Sequence, residues 1–146
     1  MKVGIDVGVK RLYCKAFKER NDVIKWEVLN IQDGQQIKVR FISTNSKNKQ
    51  GIWFATDKGI EVNSVLSSQI TLWEDTAPKE VTLTCHTNVG FLSIYNVWDD
   101  GRGKNSQAHS SGMIIKDEGN LFVYHCNDYG FDMNFDKLVF SIEILK

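Results

Sequence analysis

The chain has a single proline, Pro78, only three cysteines, and no surplus of charge, with eighteen Lys and Arg against eighteen Asp and Glu. Each scarcity excludes something. Cysteines at 14, 85 and 126 are too few and too far apart for a disulfide framework or a CxxC zinc site, and they read as reduced, buried thiols. The neighbours Cys85-His86 and His125-Cys126 cannot share a zinc ion, because successive side chains on a strand face opposite ways. Balanced charge removes the broad positive field that non-specific nucleic-acid binding draws on, so no nucleic-acid partner is expected. No apolar run approaches the length of a membrane span, and the first residues lack the apolar core and cleavage site of a Sec signal. The expectation is a soluble protein, cytoplasmic or exported without a visible signal peptide. Catalytic motifs are missing too. There is no G-x-S-x-G elbow, and Gly103-Lys104 is followed by Asn105 where a phosphate loop needs Ser or Thr. The histidines have no evident nucleophile to activate, so no enzyme is expected.

What remains is an ordinary globular composition. Of 146 residues, 42% are hydrophobic and 25% charged, which suits one domain over residues 1–146. A chain of this length buries roughly two thirds of the surface its unfolded form exposes. Period-two alternation recurs at Val3, Ile5, Val7; at Ile37, Val39, Phe41; at Val81, Leu83, Cys85; and at Leu138, Phe140, Ile142, Ile144. Turn-forming clusters at residues 30–34, 43–51 and 99–112 separate such runs. No long segment has helical spacing. The pattern predicts an all-β fold with little helix, an antiparallel β-sandwich of jelly-roll type.

The opening run, Val3-Gly4-Ile5-Asp6-Val7-Gly8-Val9-Lys10-Arg11-Leu12, resembles the first hairpin of RNase-H-like Holliday-junction resolvase nucleases, and more loosely the phosphate loop of sugar kinases. In that nuclease family the aspartate at the position of Asp6 is a metal-binding carboxylate. The resemblance implies alternating strands and helices with further carboxylates on later elements, whereas this chain continues with strands. A metal-dependent nuclease using Asp6 is the third of three readings.

The C-terminal stretch carries more. Asp132, Asn134 and Asp136 alternate with Phe131, Met133 and Phe135, so an extended backbone would aim three oxygen-bearing side chains to one side. Asp128, just upstream, adds a carboxylate. Calcium binds carboxylate and amide oxygens of this kind, which makes Asp128, Asp132, Asn134 and Asp136 the candidate metal ligands. Apolar residues sit at odd positions through Phe135 and at even positions from Leu138, so a turn or bulge is expected near Asp136-Lys137. Lys137 occupies the place where an EF-hand loop needs glycine, which excludes that motif.

The pair Asn127-Asp128, the acidic loop after it and the closing Phe140-Ser141-Ile142 resemble the end of the small bacterial calcium-dependent galactose-binding lectins of the PA-IL-like family. Residues 132–140 are also similar to the ends of calcium-loop β domains of bacterial proteins. The lectin resemblance implies a calcium ion that itself coordinates sugar hydroxyls. Phe135 departs from it, standing where the lectin loop offers the first of two consecutive amides. Asn127 and Tyr129 flank the loop, and Trp98, at the mouth of the long polar stretch 99–107, is the candidate sugar platform.

The leading expectation is therefore a non-enzymatic, lectin-like binding module with a carbohydrate or protein partner and calcium as cofactor. The alternative is a metal-free structural or protein-interaction domain, compatible with a homo-oligomer, whose acidic turn is solvated and guards the terminal strand from pairing with another molecule.

Overall fold

The computed structural model describes residues 8–18, 20–130 and 134–145, and every regular element among them is a strand. The first six are β1 (Leu12–Tyr13), β2 (Ile24–Asn30), β3 (Gln35–Thr44), β4 (Lys49–Val62), β5 (Val65–Trp73) and β6 (Glu80–Cys85). The rest are β7 (Phe91–Asp99), β8 (Lys104–Asn105), β9 (Gly112–Asp117), β10 (Leu121–Asn127) and β11 (Leu138–Ile144). The run Val3, Ile5, Val7 and the nuclease-like Asp6 lie outside the described residues.

All the strand pairings are antiparallel, as alternation predicts, but the sheet is single rather than double. Neighbours run β2-β9-β10-β11-β3-β6-β4-β7, and β7 also pairs with β2, which closes eight strands into a ring. Strands β1, β5 and β8 hang on that ring through β2, β4 and β7. The architecture is thus a closed barrel, and the sandwich expectation is corrected on this point. Period-two patterning is common to both architectures. What separates them is the long-range pairing that joins the two ends of the sheet.

Alternation sets the inside. Leu138, Phe140 and Ile142 of β11 are fully buried, as their even spacing requires, and Phe140 stacks on Tyr124 of β10 with ring centroids 4.9 Å apart. Ile37 and Val39 of β3, Leu83 and Cys85 of β6, and Leu92 and Ile94 of β7 complete the same core. Two irregularities bend the wall. In β4 the register against β5 jumps between Ala55 and Ile60, and the extra residues are tied off by Thr56 Oγ1, which accepts from Gly59 N at 2.8 Å. In β2, Ile24 pairs with β9, whereas the ladder to β7 begins only at Glu27.

The second slip has a chemical consequence. Glu27 stands opposite Ile94, so it shares that residue's inward face, and it is fully buried. Its carboxylate is satisfied by four donors. Arg11 forks it through Nε at 2.7 Å and Nη2 at 3.0 Å, the Tyr124 hydroxyl donates at 2.7 Å, and Val28 N donates at 3.0 Å. The hydrogen bond to Glu27 raises Arg11 further above its already high range. Burial, followed by the Glu27 charge, holds the Tyr124 hydroxyl well above its usual range.

The expected break in the C-terminal periodicity is a turn. Phe135 has φ +50°, a left-handed conformation costly for a bulky residue, and β11 starts three residues later. Its ring is buried outside the main core, against Phe17 at 5.1 Å and with Cys14 and Val23. Phe135, of the odd set, and Leu138, Phe140 and Ile142, of the even set, therefore fill two different clusters, while Phe131 and Met133 lie outside the described residues.

All three cysteines are free and buried. Burial pushes the Cys85 thiol from 9.0 up to about 12 and also raises Cys126. Such groups keep their protons in the fold and release them in the unfolded chain, so stability is intact below the unfolded value and is lost as pH rises above it. The urea midpoint is expected to hold from pH 7 to 8 and then fall steadily between about pH 9 and 11, with Cys85→Ala showing a shallower fall. A midpoint flat to pH 11 would contradict the burial of these thiols.

Candidate functional site

Antiparallel connection gathers six strand ends at one end of the barrel. Strands β3, β7 and β10 end there, and β4, β9 and β11 begin there, bringing residues 45–48 beside Asp128 and Asp136. Along β10 and beyond, the faces alternate: Cys126 inward, Asn127 outward, Asp128 inward. Asp128 consequently closes the barrel's mouth from inside, only 3% exposed.

Its carboxylate is the hub of a polar cluster. Oδ2 accepts from Ser46 Oγ at 2.7 Å, Asn48 Nδ2 at 3.1 Å and Gln50 Nε2 at 3.1 Å, and Oδ1 accepts from Tyr129 N at 2.7 Å. Four neutral donors use the acceptor capacity of an ionised carboxylate. Among the described residues no cationic group forms an ion pair with it. Gln50, nearly fully buried, is left with an Oε1 that no donor reaches.

Asn127 faces the other way and ties loops together. Its Nδ2 donates to Ser110 O at 2.9 Å and to Gly130 O at 2.8 Å, while its Oδ1 is buried without a hydrogen-bond partner. Asn96 Nδ2 fixes the Asn127 carbonyl at 2.9 Å. Tyr129 is 49% exposed at the lip of the mouth. Trp98 is 3% exposed and packs beneath it, ring centroids 6.5 Å apart, so the aromatic surface presented to solvent here is the tyrosine. Trp53 is equally enclosed, stacked on Tyr95 at 4.3 Å on the outside of the wall.

Farther along the loop, Asp136 Oδ2 accepts from Asn45 Nδ2 at 2.7 Å, and Asp136 Oδ1 is buried with no hydrogen bond from the described residues, 3.9 Å from Lys137 Nζ. Asn134 is exposed, and Asp132 lies outside the described residues. Among the described residues, no three His, Cys, Asp or Glu side chains are grouped to hold a metal ion. A hard cation collects six to eight oxygens that have no other partner. Asp128 does not meet that condition, since its oxygens are engaged. Asp136 Oδ1 is the freer carboxylate oxygen, accepting no hydrogen bond among the described residues and facing Lys137 Nζ at 3.9 Å.

Between the two loops lies an open recess of about 630 Å³, lined by Thr44, Asn45, Ser46, Lys47, Asn48, Asp128, Tyr129 and Lys137. Ser46, Asn48 and Gln50 were not singled out by the sequence. Their only signal is a polar run in a loop, and the partner that gives it meaning is some eighty positions away.

Neither a family model nor a curated protein matches this chain. Among solved structures it is similar to the lectin CV2L of Chromobacterium violaceum, determined in complex with α-methyl-fucoside. Identity is 15% and the TM-score 0.45, over 79% of this chain and 92% of that one. Likeness at this level does not transfer a ligand.

Proposed function

We propose that the chain is a non-enzymatic binding module that takes a carbohydrate, or a ligand equally rich in hydroxyls, in the recess at the barrel mouth. One observation carries the proposal: an open recess whose floor is a buried, fully hydrogen-bonded carboxylate, with side-chain amides and a hydroxyl around it and a half-exposed tyrosine at its lip. Such a surface offers what a sugar needs. Amides and hydroxyls both donate and accept, matching neighbouring hydroxyls in either sense. The apolar face of a sugar ring packs on the half-exposed Tyr129 ring. The floor is already ordered by the Asp128 hydrogen bonds, so little freedom is lost on binding.

Calcium belongs to this reading as an accessory of the same loop. Asp132, Asn134 and Asp136 would hold it, and the ion would supply a positive charge and vacant coordination positions for ligand hydroxyls. In this arrangement Asp128 shapes the loop rather than ligating the ion.

The test is calorimetry on the full chain against a panel of neutral monosaccharides, with and without calcium. Binding of at least one sugar is expected, weakened about tenfold, or ~1.4 kcal/mol, in Tyr129→Ala. Calcium should bind by itself and fail to do so in Asp136→Ala. Absence of any sugar binding at millimolar concentration, with and without calcium, would overturn the carbohydrate reading. Sugar binding without calcium binding would remove only the ion.

A further inference from the structure

The ring of strands is not closed evenly. Strands β2 and β9 share one residue pair, Ile24 with Met113, whereas the adjoining β9–β10 ladder runs from Phe122↔Asp117 to Asn127↔Gly112. At that seam the backbones touch directly. A β-carbon on Gly112 would lie 2.5 Å from Val23 Cγ1 and 3.0 Å from Ile24 O.

Side chains bridge the seam instead of a ladder. Tyr124 reaches from β10 to Glu27 on β2, and Arg11, just before β1, forks the same carboxylate. Lys25 Nζ donates to Ala108 O at 2.6 Å, Gln107 Nε2 donates to Lys25 O at 2.8 Å, and Cys14 Sγ donates to His109 O at 3.3 Å. The segment these bonds hold, residues 107–111, also holds the mouth. Ser110 O accepts from Asn127 Nδ2, and Ser110 Oγ accepts from Gly130 N at 2.6 Å.

We infer that the strap formed by residues 11–14 is a lock on the β2–β9 seam, and that through residues 107–111 it keeps the 127–130 turn of the binding recess in place. With Arg11 withdrawn, Glu27 keeps two of its four donors inside the barrel. A buried carboxylate in that condition is relieved most cheaply by admitting water. The nearest opening is the seam with one residue pair, so β2 and β9 part before any full ladder does. Residues 107–111 then lose their anchors on Lys25 and Cys14, and the turn that carries Tyr129 loosens with them. Its consequence for ligand binding rests on the function proposed above; the lock itself does not.

Hydrogen exchange read by mass spectrometry on the full chain, without ligand, tests it. The variants are Arg11→Ala and Cys14→Ala, the second removing the strap's bond to His109 O while leaving the Glu27 cluster whole. In both, exchange at residues 23–29, 107–115 and 127–130 should quicken about tenfold or more, while residues 37–41 and 81–85 keep wild-type rates. Equal acceleration in every segment, or none at 107–115, overturns the lock. If Arg11→Ala does not fold, Cys14→Ala decides by the same criterion. Because no ligand is present, a chain that binds no sugar still gives a clear answer, so failure of the lock and failure of the carbohydrate reading are told apart.

Discussion

Arg11→Ala should lower the free energy of unfolding by about 3–5 kcal/mol, whereas replacing the pair together, Arg11→Met with Glu27→Leu, should cost less than half as much. The asymmetry follows from where the two charges sit. Glu27 is wholly buried, and Arg11 supplies two of its four hydrogen bonds and its only ion pair among the described residues. Removing Arg11 leaves a carboxylate in the barrel interior short of two donors; replacing both with apolar side chains leaves no buried charge and only the neutral Tyr124 hydroxyl in want of an acceptor. The Arg11 side chain is 32% exposed, so water reaches the site and the lower end of the range is expected. The cost is also bounded by the work of opening the β2–β9 seam, since opening it rehydrates Glu27. Urea unfolding of the two variants measures the difference, and equal costs would show that the pair contributes only packing.

Asp128→Ala is the second large effect. It strips the acceptor from Ser46 Oγ, Asn48 Nδ2 and Tyr129 N at once and leaves Gln50 Nε2 with only the Asn48 carbonyl at 3.3 Å. A buried donor left unpaired costs about 1–3 kcal/mol, and Asn48 and Gln50 are both buried. With some relaxation of the exposed loop, a loss of about 3 kcal/mol is expected, together with loss of ligand binding. Asp128→Asn should fall between, because its amide offers one acceptor oxygen and turns two further donors toward donors. A change under about 1 kcal/mol for Asp128→Ala, measured by urea unfolding, would show that the cluster does not hold the mouth together.

The strand composition of this fold is open in the sequence where one face is buried. Leu138, Phe140 and Ile142 alternate with less apolar neighbours, and the chain places them in the core. The shift from odd to even apolar positions announced the turn at Phe135, although not that Phe135 would fill a separate cluster with Phe17. Closure of the barrel was not legible. It depends on β7 finding β2 and on β2 slipping register between Ile24 and Glu27, and neither leaves a trace in local periodicity. For the same reason nothing in the sequence singles out Glu27, between Trp26 and Val28, as an inward residue.

At the candidate site, Asp128, Asn127 and Tyr129 were visible as a polar pair followed by an aromatic. Their division of labour was not, since it comes from facing alternately into and out of the barrel. Trp98, the expected platform, is buried instead, because it shares the inward face of Leu92 and Ile94 on β7. The hydrogen-bond donors from residues 46, 48 and 50 depend on a long-range meeting of two loops, which no spacing within either loop encodes.

The proposed meeting place of this protein and its ligand is the recess lined by residues 44–48, Asp128, Tyr129 and Lys137. Amide chemical shifts of the ¹⁵N-labelled chain, followed during titration with the best sugar from the calorimetric panel and then with calcium, test it residue by residue. The account predicts shifts concentrated at residues 44–50 and 127–137, with the opposite barrel end at residues 31–34 and 86–90 unmoved. Shifts confined to the opposite end, or to the outer wall around Trp53 and Tyr95, would contradict it.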